Sequence, residues 1–495
     1  MSTELPQKPQ KTALLAGGPG RFCQSMNWWI ALSAVVILLL VPLCTTIHNV
    51  TDSSLGSPKP TQFACNLFTK LTPRYARWAQ ARVQSGVAAQ LGVHDIAGTE
   101  WPLFGSVFYL WAVENLQTAW EKDSRILPDE PKTAARTAID AAAALVFDEN
   151  HAAWVKKHWG PGYLTHDNVF YRMLRIAAAT SHIQLTGENT YRDQLLREAA
   201  ALAADIDTSP KGLLEDYPGE CYPGDVVTAI ACIRRAAGVL GLNADAFVGR
   251  ARRGFLWMHG APRPMPAEAG IFDSAELDAL GLVPYWADAA SGISTELSRG
   301  CGNSYVSLFA PELWPDAAKD WYARYEKHFW QERLGAAGFR EFAQSVPGRE
   351  WYMDVDSGPV MAGFGIAASA FGIGAARANG RFDHAKPLMA ELMLTAWPLP
   401  DGTLLLPRLL SSAADAPYLG EAAILYVATV QPAQGVTPVT GGAVPRFVTA
   451  MLILAGVCCL EAFILLARAR QRWRMAPAAR VPGEKWQCAI WAMLV

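Results

Sequence analysis

The stretch Asn27–Ile47, NWWIALSAVVILLLVPLCTTI, carries no charged residue and is about as long as the hydrocarbon core of a bilayer requires. Trp28 and Trp29 stand at its start, where interfacial aromatic residues are common. A second apolar stretch, Phe447–Ala467, carries one charge, Glu461, which is costly inside a membrane. The sequence therefore predicts two transmembrane helices with a large domain between them.

Positive charges flank the two stretches on their outer sides. They are Lys8, Lys11 and Arg21 before the first stretch, and Arg468, Arg470, Arg472, Arg474 and Arg480 after the second. Because cytoplasmic flanks are enriched in Lys and Arg, we predict an inner (plasma) membrane protein with both termini cytoplasmic and an extracytoplasmic, periplasmic domain. A cleaved signal peptide is the alternative, but the apolar run is long and no A-x-A site follows it.

The predicted organisation has seven parts. They are a cytoplasmic tail (1–26), a span (27–47), a linker (48–62), a domain (63–430), a linker (431–446), a span (447–467) and a basic cytoplasmic tail (468–495). The formal net charge of -2, without a basic run outside the tail, argues against a nucleic-acid partner. We expect the membrane and a small-molecule or glycan substrate as partners, and leave a homo-oligomer open.

Between the linkers the apolar pattern is helical, as in Val169–Leu185 and Val226–Gly238. About a dozen such segments alternate with loops rich in Gly, Pro and Trp. They predict an all-α domain of paired helices in a closed ring, an (α/α)6 toroid. A helical-repeat solenoid is the alternative, although the sequence shows no fixed period. The uncharged run Pro359–Ala376 is rich in Gly and Ala, which favours a tightly packed inner helix over a third span.

No metal and no cofactor are predicted. The sequence contains no Gly-rich phosphate loop, H-E-x-x-H helix or G-x-S-x-G elbow. Four cysteines fall in the domain, in a spacing that fits no zinc motif. They form either two disulfides or buried free thiols, and they are Cys65, Cys221, Cys232 and Cys301.

Candidate chemistry lies in acidic loops that lead into apolar helices. The segment Leu214–Asp225, LEDYPGECYPGD, is the richest of these loops, and Trp351–Pro359, WYMDVDSGP, is the second. Carboxylates held together in an apolar pocket acquire separated pKa values, which supplies one acid and one base. We predict that the catalytic pair joins one residue of the first loop to one of the second. The candidates are Glu215 or Asp216 with Asp354 or Asp356.

Further residues are predicted to bind or orient the substrate, or to support the pair: Glu100, Asp167, Tyr171, Tyr222, Asp225 and Glu341. Glu100 and Asp225 stand at helix starts, where the helix dipole favours a carboxylate, although plain capping explains them equally well. His166 is a further acid–base candidate. For the polar turn Ser298–Tyr305 we expect one of two roles, which are binding of an anionic or hydroxyl group and capping of the helix that follows.

Several segments resemble the linalool dehydratase/isomerase family in order and spacing. They are Asp167–Tyr171, Leu185–Tyr191, Gly212–Asp216, Arg340–Glu341 and Asp354–Gly358. The resemblance covers roughly residues 95–430 and rests on short motifs. It implies an (α/α)6 toroid in an exported enzyme. It also implies cofactor-free removal or addition of water, and isomerisation of a terpene alcohol by general acid–base groups in an apolar cavity.

The chain departs from the family pattern at its most reactive positions. Leu174 stands at the position where the family has a histidine. The positions that correspond to the family's two cysteines lie near Glu215 and Gly224 in this chain, and neither of these residues is a cysteine. Two other functions therefore stay open. One is a glycoside hydrolase or polysaccharide lyase with paired carboxylates, and the other is a non-catalytic scaffold of the cell envelope.

Overall fold

The computed structural model describes residues 19–92, 95–165, 167–256 and 280–475. His166, most of the first tail and the end of the last tail lie outside these ranges. The chain divides into two compact units, one made of residues 1–44 and 451–495 and the other of residues 45–450.

The first unit contains apolar helical segments from both ends of the chain. Helix α1 (Pro19–Val35) leads through a π-helical turn (Val36–Leu40) into α2 (Val41–Val50), and the last helix, α19, covers Arg446–Met475. Pro42 is the second residue after the π turn, and it lacks the N–H that would bond one turn back. Asn27–Gly56 and Arg446–Arg472 are long and apolar enough to cross a membrane, as the sequence predicts. The direction of insertion stays a prediction.

The second unit is mostly helical. Its helices are α3 (Gln62–Ser85), α4 (Ile96–Lys122), α5 (Pro131–Ala134), α6 (Arg136–Val146), α7 (Ala153–Trp159), α8 (Val169–Thr186), α9 (Arg192–Thr208), α10 (Pro223–Leu240), α11 (Asp245–Ala251), α12 (Arg253–Leu256), α13 (Gly300–Leu313), α14 (Pro315–Phe329), α15 (Ile366–Ala378), α16 (Phe382–Ala396), α17 (Leu405–Ala413) and α18 (Leu419–Thr429).

Six of these helices contact one another in a closed order. The order is α4, α8, α10, α13, α15, α18 and back to α4. Helices α3, α6, α9, α14, α16 and α17 contact members of this set. Along the chain, members of the set largely alternate with helices outside it. Helices α8, α13 and α18 are buried over most of their length, because apolar residues continue around the helix instead of forming one stripe.

Aromatic side chains connect the helices of this set. Phe108 stacks on Tyr426 with ring centroids 5.5 Å apart, and Trp111 lies 5.4 Å from Phe309. Phe371 lies 5.8 Å from Phe108, so α15 is joined to the same group. Small residues allow α15 to approach closely, since a Cβ at the position of Gly374 would collide with a neighbouring leucine side chain. The prediction of a tightly packed helix here therefore holds for Ile366–Ala378.

Short strands correct the expectation of an all-α domain. Strands β1 (Trp330–Arg333) and β2 (Ala336–Phe339) pair antiparallel, and β3 (Trp351–Asp354), β4 (Gly358–Met361) and β5 (Phe364–Gly365) form a second antiparallel sheet. The predicted helical run from Pro359 is therefore strand at its start. Strands of four residues or fewer are too short for an alternation of apolar and polar residues to be recognised in the sequence. On β3 the exposed positions are also apolar, so the usual pattern is missing there.

Candidate acid–base site

The first turns of several helices in the closed set meet at one end. Val169 at the start of α8 donates its N–H to the Glu215 carbonyl at 3.1 Å. Gly300 at the start of α13 donates to the Glu341 carbonyl at 2.7 Å. The loops that precede α8, α10, α13 and α15 therefore lie close to these helix starts, where the helix dipole stabilises negative charge.

Glu100, one turn into α4, is the first carboxyl group at this end. The hydroxyl of Tyr217, from the loop before α10, donates a hydrogen bond to Glu100 Oε2. Burial raises the pKa of Glu100 to about 8, the Tyr217 hydrogen bond opposes that rise, and the charges of Asp225 and Asp356 add to it. Glu100 is therefore a carboxyl group that holds its proton at neutral pH.

Asp225, in the first turn of α10, is the second group. Burial, followed by the charge of Asp356, raises its pKa to about 7. Asp216 is almost fully buried, and its Oδ2 accepts the N–H of Tyr222 at 2.9 Å. Burial, and then the charges of Asp225 and Glu100, raise the pKa of Asp216 as well. Asp216, Asp225 and Glu100 are therefore near enough for their charges to act on one another.

Asp356 completes the cluster from the turn between β3 and β4. Its Oδ2 accepts the hydroxyl of Tyr285 at 2.5 Å. The ring of Tyr285 contacts Tyr222 edge to face, with centroids 5.4 Å apart. We call Glu100, Asp216, Asp225 and Asp356 the acid cluster. The pKa values of Glu100 and Asp225 are raised to about 8 and about 7, and burial raises that of Asp216 well above its ordinary value. The cluster can therefore hold and exchange protons near pH 7.

Aromatic rings lie beside the acid cluster. Phe104, one turn beyond Glu100 on α4, lies 5.3 Å from Phe170 and 6.1 Å from Tyr305, centroid to centroid. The charge of Asp225 contributes to raising the pKa of the buried Tyr305 hydroxyl. Glu100 and Asp225 therefore stand next to an aromatic wall, whereas Asp356 is exposed at the turn between β3 and β4.

Arg299 organises a second network next to the acid cluster. Its Nε donates to Glu341 Oε1 at 2.7 Å and its Nη2 to Asp354 Oδ2 at 2.7 Å. The guanidinium also lies over the Tyr285 ring, 4.2 Å from the centroid. Asp354 additionally accepts the N–H and hydroxyl of Ser357 at 2.7 and 2.6 Å. Arg299 thus holds the β3–β4 turn, and with it Asp356, against the helix starts.

The sequence-predicted residues divide into three groups. The structure brings Glu100, Asp216, Tyr222, Asp225 and Asp356 together. It places Asp354 and Glu341 in the Arg299 network, where both carboxylates pair with the same guanidinium. The remaining three make other contacts. Glu215 accepts the N–H of Gly219 at 2.8 Å within its own turn, Tyr171 is buried with its hydroxyl 3.3 Å from Arg175 Nη1, and the Asp167 carbonyl accepts from Arg172 at 3.2 Å.

Sequence reasoning gave no role to Tyr217, Tyr285 or Arg299. Tyr217 lies inside the acidic loop and Arg299 inside the polar turn, so both segments were recognised without these side chains being singled out. Tyr285 lies in the mostly apolar stretch Leu280–Ala287, outside the segments that the sequence singled out. Its contact with Asp356 joins residues 71 positions apart, which local patterns cannot reveal.

The described residues include one group with metal-ligand geometry. Ligand atoms of Asp140, His182 and Glu188 lie within 4.8 Å of one another. Arg136 donates to Asp140 Oδ2 at 3.1 Å and also to Glu188, so a guanidinium already neutralises both carboxylates. The four domain cysteines are buried free thiols, which selects one of the two alternatives that the sequence left open.

A cavity of about 520 Å³ lies away from the acid cluster, between the later parts of α4, α10 and α13 and the start of the second linker. Its lining includes Glu114, Arg235 and Glu312. Arg235 pairs with Glu312 at 2.9 Å, and its charge lowers the pKa of Glu114, which burial raises. Positive and negative charges are balanced here, whereas the acid cluster combines four carboxyl groups, so we place the chemistry at the acid cluster.

A comparison of the sequence with models of known protein families and with curated proteins finds no match.

Proposed function

We propose that the protein is a membrane-anchored, exported acid–base enzyme that eliminates or adds water without a cofactor. The observation that carries this proposal is the pair Glu100 and Asp225, whose pKa values are raised to about 8 and about 7. Two carboxyl groups that titrate around neutral pH in one cluster supply a proton donor and a proton acceptor together.

The closed order of helices supports an (α/α)6 toroid as the fold. In this proposal α4, α8, α10, α13, α15 and α18 form the inner ring, and most of the other helices form the outer ring. The acid cluster then lies at the mouth of the ring. The same architecture is what the resemblance to the linalool dehydratase/isomerase family implies, and the family's acid–base chemistry agrees with the raised pKa values.

The proton-transfer roles follow from the hydrogen bonds. Glu100, protonated and held by Tyr217, donates its proton to the departing hydroxyl of the substrate, which leaves as water. Asp225, ionised, accepts a proton from the adjacent carbon, and a carbon–carbon double bond forms. Asp356, whose charge acts on both Glu100 and Asp225, stabilises the carbocation-like centre that develops. This proposed pair differs from the predicted one, which joined Glu215 or Asp216 to Asp354 or Asp356. We choose Glu100 and Asp225 because their pKa values are raised to about 8 and about 7.

The aromatic wall formed by Phe104, Phe170 and Tyr305 favours an apolar alcohol as substrate. The test is whether the full-length protein turns over a terpene alcohol such as linalool. Turnover is measured as loss of the alcohol and appearance of the alkene. Glu100→Gln and Asp225→Asn are each expected to lower the rate by about 100-fold or more. Glu188→Gln, an exposed carboxylate that pairs with Arg136, is the matched control.

A glycoside hydrolase or polysaccharide lyase is the second candidate. It is favoured by the group of Tyr222, Tyr285 and Trp286 beside Asp356, since aromatic faces commonly pack against sugar rings. Release of reducing ends or unsaturated sugars from a glycan panel, lost in Asp225→Asn, would select this reaction. If the folded protein turns over neither alcohols nor glycans, a non-catalytic scaffold becomes the better explanation.

The location of the domain outside the cytoplasm is part of the same proposal. Leu242 is exposed in the turn after α10, so Leu242→Cys offers a thiol on the domain surface. In intact cells a membrane-impermeant maleimide is expected to label this thiol well above the wild-type background. Labelling that appears only after the cells are broken would place the domain in the cytoplasm.

A further inference from the structure

The outer face of the β3–β4 hairpin is apolar and exposed. Trp351 lies opposite Met361 and Met353 opposite Pro359 in the antiparallel register, so these residues share one face. Trp351, Met353 and Val355 are 73%, 76% and 73% exposed. Contiguous exposed apolar residues of this size mark a surface that another apolar phase or molecule covers.

The hairpin cannot turn this face inward, because its alternate residues are fixed on the other side. Asp354 is bonded to Arg299 and to Ser357, and Asp356 is bonded to Tyr285. Successive residues of a strand point to opposite faces. The contacts that bring Asp356 to the acid cluster therefore also hold Trp351 and Met353 outward.

A chain of contacts within the second unit leads from this hairpin to Phe447, where the candidate span Arg446–Arg472 begins. The Ala362 carbonyl, just beyond β4, accepts from Gln331 on β1 at 3.2 Å. Strand β1 ends in the turn Leu334-Gly335, and the Gly335 carbonyl accepts the N–H of Phe447 at 2.9 Å. Leu334 is 81% exposed, and its left-handed backbone conformation is one that leucine rarely adopts.

We propose that the outer face of the β3–β4 hairpin docks on the lipid bilayer and sets the mouth of the acid cluster at the membrane surface. A bilayer is the occupant that these observations favour. Trp351, Met353 and Met361 form an uncharged apolar face, and the hairpin tip adds the exposed Val355 beside the exposed Asp356. A large apolar area next to a charge suits the boundary between the apolar and polar parts of a bilayer interface. The hairpin is also linked through hydrogen bonds to the segment where the chain enters a candidate span.

The docking proposal can be tested independently of the proposed reaction, since lipid contact does not require turnover. If the proposed function also holds, the hairpin allows an apolar alcohol to pass from the lipid phase to Glu100 and Asp225. The substrate class then narrows to membrane-partitioning alcohols. Here the substrate statement rests on the proposed function, whereas the lipid contact does not.

The test is photo-crosslinking of the full-length protein reconstituted in vesicles of phosphatidylcholine and phosphatidylglycerol. A photoreactive phenylalanine analogue replaces Met353 in one preparation and Leu242 in another. Leu242 is a matched control because it is also exposed and follows α10, whose opposite end carries Asp225. We expect about tenfold more lipid adduct at position 353 than at position 242. Circular dichroism of both preparations checks that the fold is retained.

Three outcomes would overturn the proposal. Equal lipid adducts at the two positions would mean incidental contact, and adducts to a second copy of the chain at 353 would make the hairpin a protein interface. Absence of any adduct at 353 in a folded preparation would mean that the face stays in water. Alcohol turnover measured on the same vesicles is read separately, so loss of the reaction and loss of lipid contact remain distinguishable.

Discussion

Tyr285 donates its hydroxyl to Asp356 at 2.5 Å while its ring lies under the Arg299 guanidinium, so one tyrosine joins the acid cluster to the network that supports it. Hydrogen bonds to a carboxylate are among the stronger ones in proteins. We expect Tyr285→Phe to free the β3–β4 turn and to lower the turnover rate by about 10- to 100-fold. Hydrogen exchange of residues 351–361 should rise in the same variant.

Tyr163→Phe is the control for this experiment, since Tyr163 packs against Tyr171 outside the acid cluster. Unchanged exchange of the hairpin in Tyr285→Phe would contradict the role given to this hydrogen bond.

The pH dependence of the rate should be bell-shaped with a narrow maximum. The reaction needs Asp225 ionised, which requires a pH above about 7, and Glu100 protonated, which requires a pH below about 8. Because the two groups interact, the two limbs report the cluster as a whole. The measurement is kcat/KM across the neutral range. Glu100→Gln should retain a small rate without the alkaline limb, and persistence of that limb would assign it to another group.

Stability should fall as the pH rises through neutrality. The folded protein holds protons on Glu100 and Asp225 that the unfolded chain releases at lower pH, since burial raises both pKa values. The stabilising contribution of these groups is complete below their unfolded pKa values and is lost as the pH passes about 7 to 8. We expect the free energy of unfolding to drop by about 2 kcal/mol across this window, after allowance for partial solvent access.

Thermal unfolding in detergent at a series of pH values measures this drop. Glu100→Gln removes one of the titrating groups, so its melting temperature should depend less on pH than that of the wild type. An equal slope in the two proteins would show that other groups control the pH dependence.

Removal of Arg299 should destabilise the second unit strongly. Glu341 is fully buried and would lose its charged partner, and the loss of one partner from a buried ion pair costs about 3–5 kcal/mol. Thermal unfolding of Arg299→Ala measures this cost, and Arg299→Lys should recover only part of it because lysine cannot make both contacts. Arg125→Ala, which breaks an exposed pair with Asp123, is the control and should unfold like the wild type.

The sequence predicted the helical part of the fold well, because the helices of the closed set are long and apolar. Pro359–Ala376 illustrates the limit. Its Gly and Ala residues correctly indicated close packing, yet the helix begins only at Ile366. The preceding residues form a hairpin whose exposed side is apolar, a pattern opposite to the usual rule that polar residues face solvent.

The candidate site was recognisable in part for a physical reason. Carboxylates that precede apolar helices collect where helix starts meet, as Glu100 and Asp225 do. The choice between Glu215 and Asp216 could not be made from sequence, because the two carboxylates are adjacent in the chain. The turn Tyr217–Glu220 decides which of the two side chains faces the acid cluster. Tyr285 could not be predicted either, because only the folded chain brings it to Asp356.

The aromatic side chains between the helices of the closed set have a kinetic consequence. Phe108, Trp111, Phe309 and Tyr426 pack together beyond Phe104. If the proposed reaction takes place at the acid cluster, we expect this packing to block passage along the ring axis, so that product leaves by the route through which substrate arrives. Accumulated product should then compete directly with fresh substrate. The strength of this product inhibition would measure how fast product leaves the acid cluster.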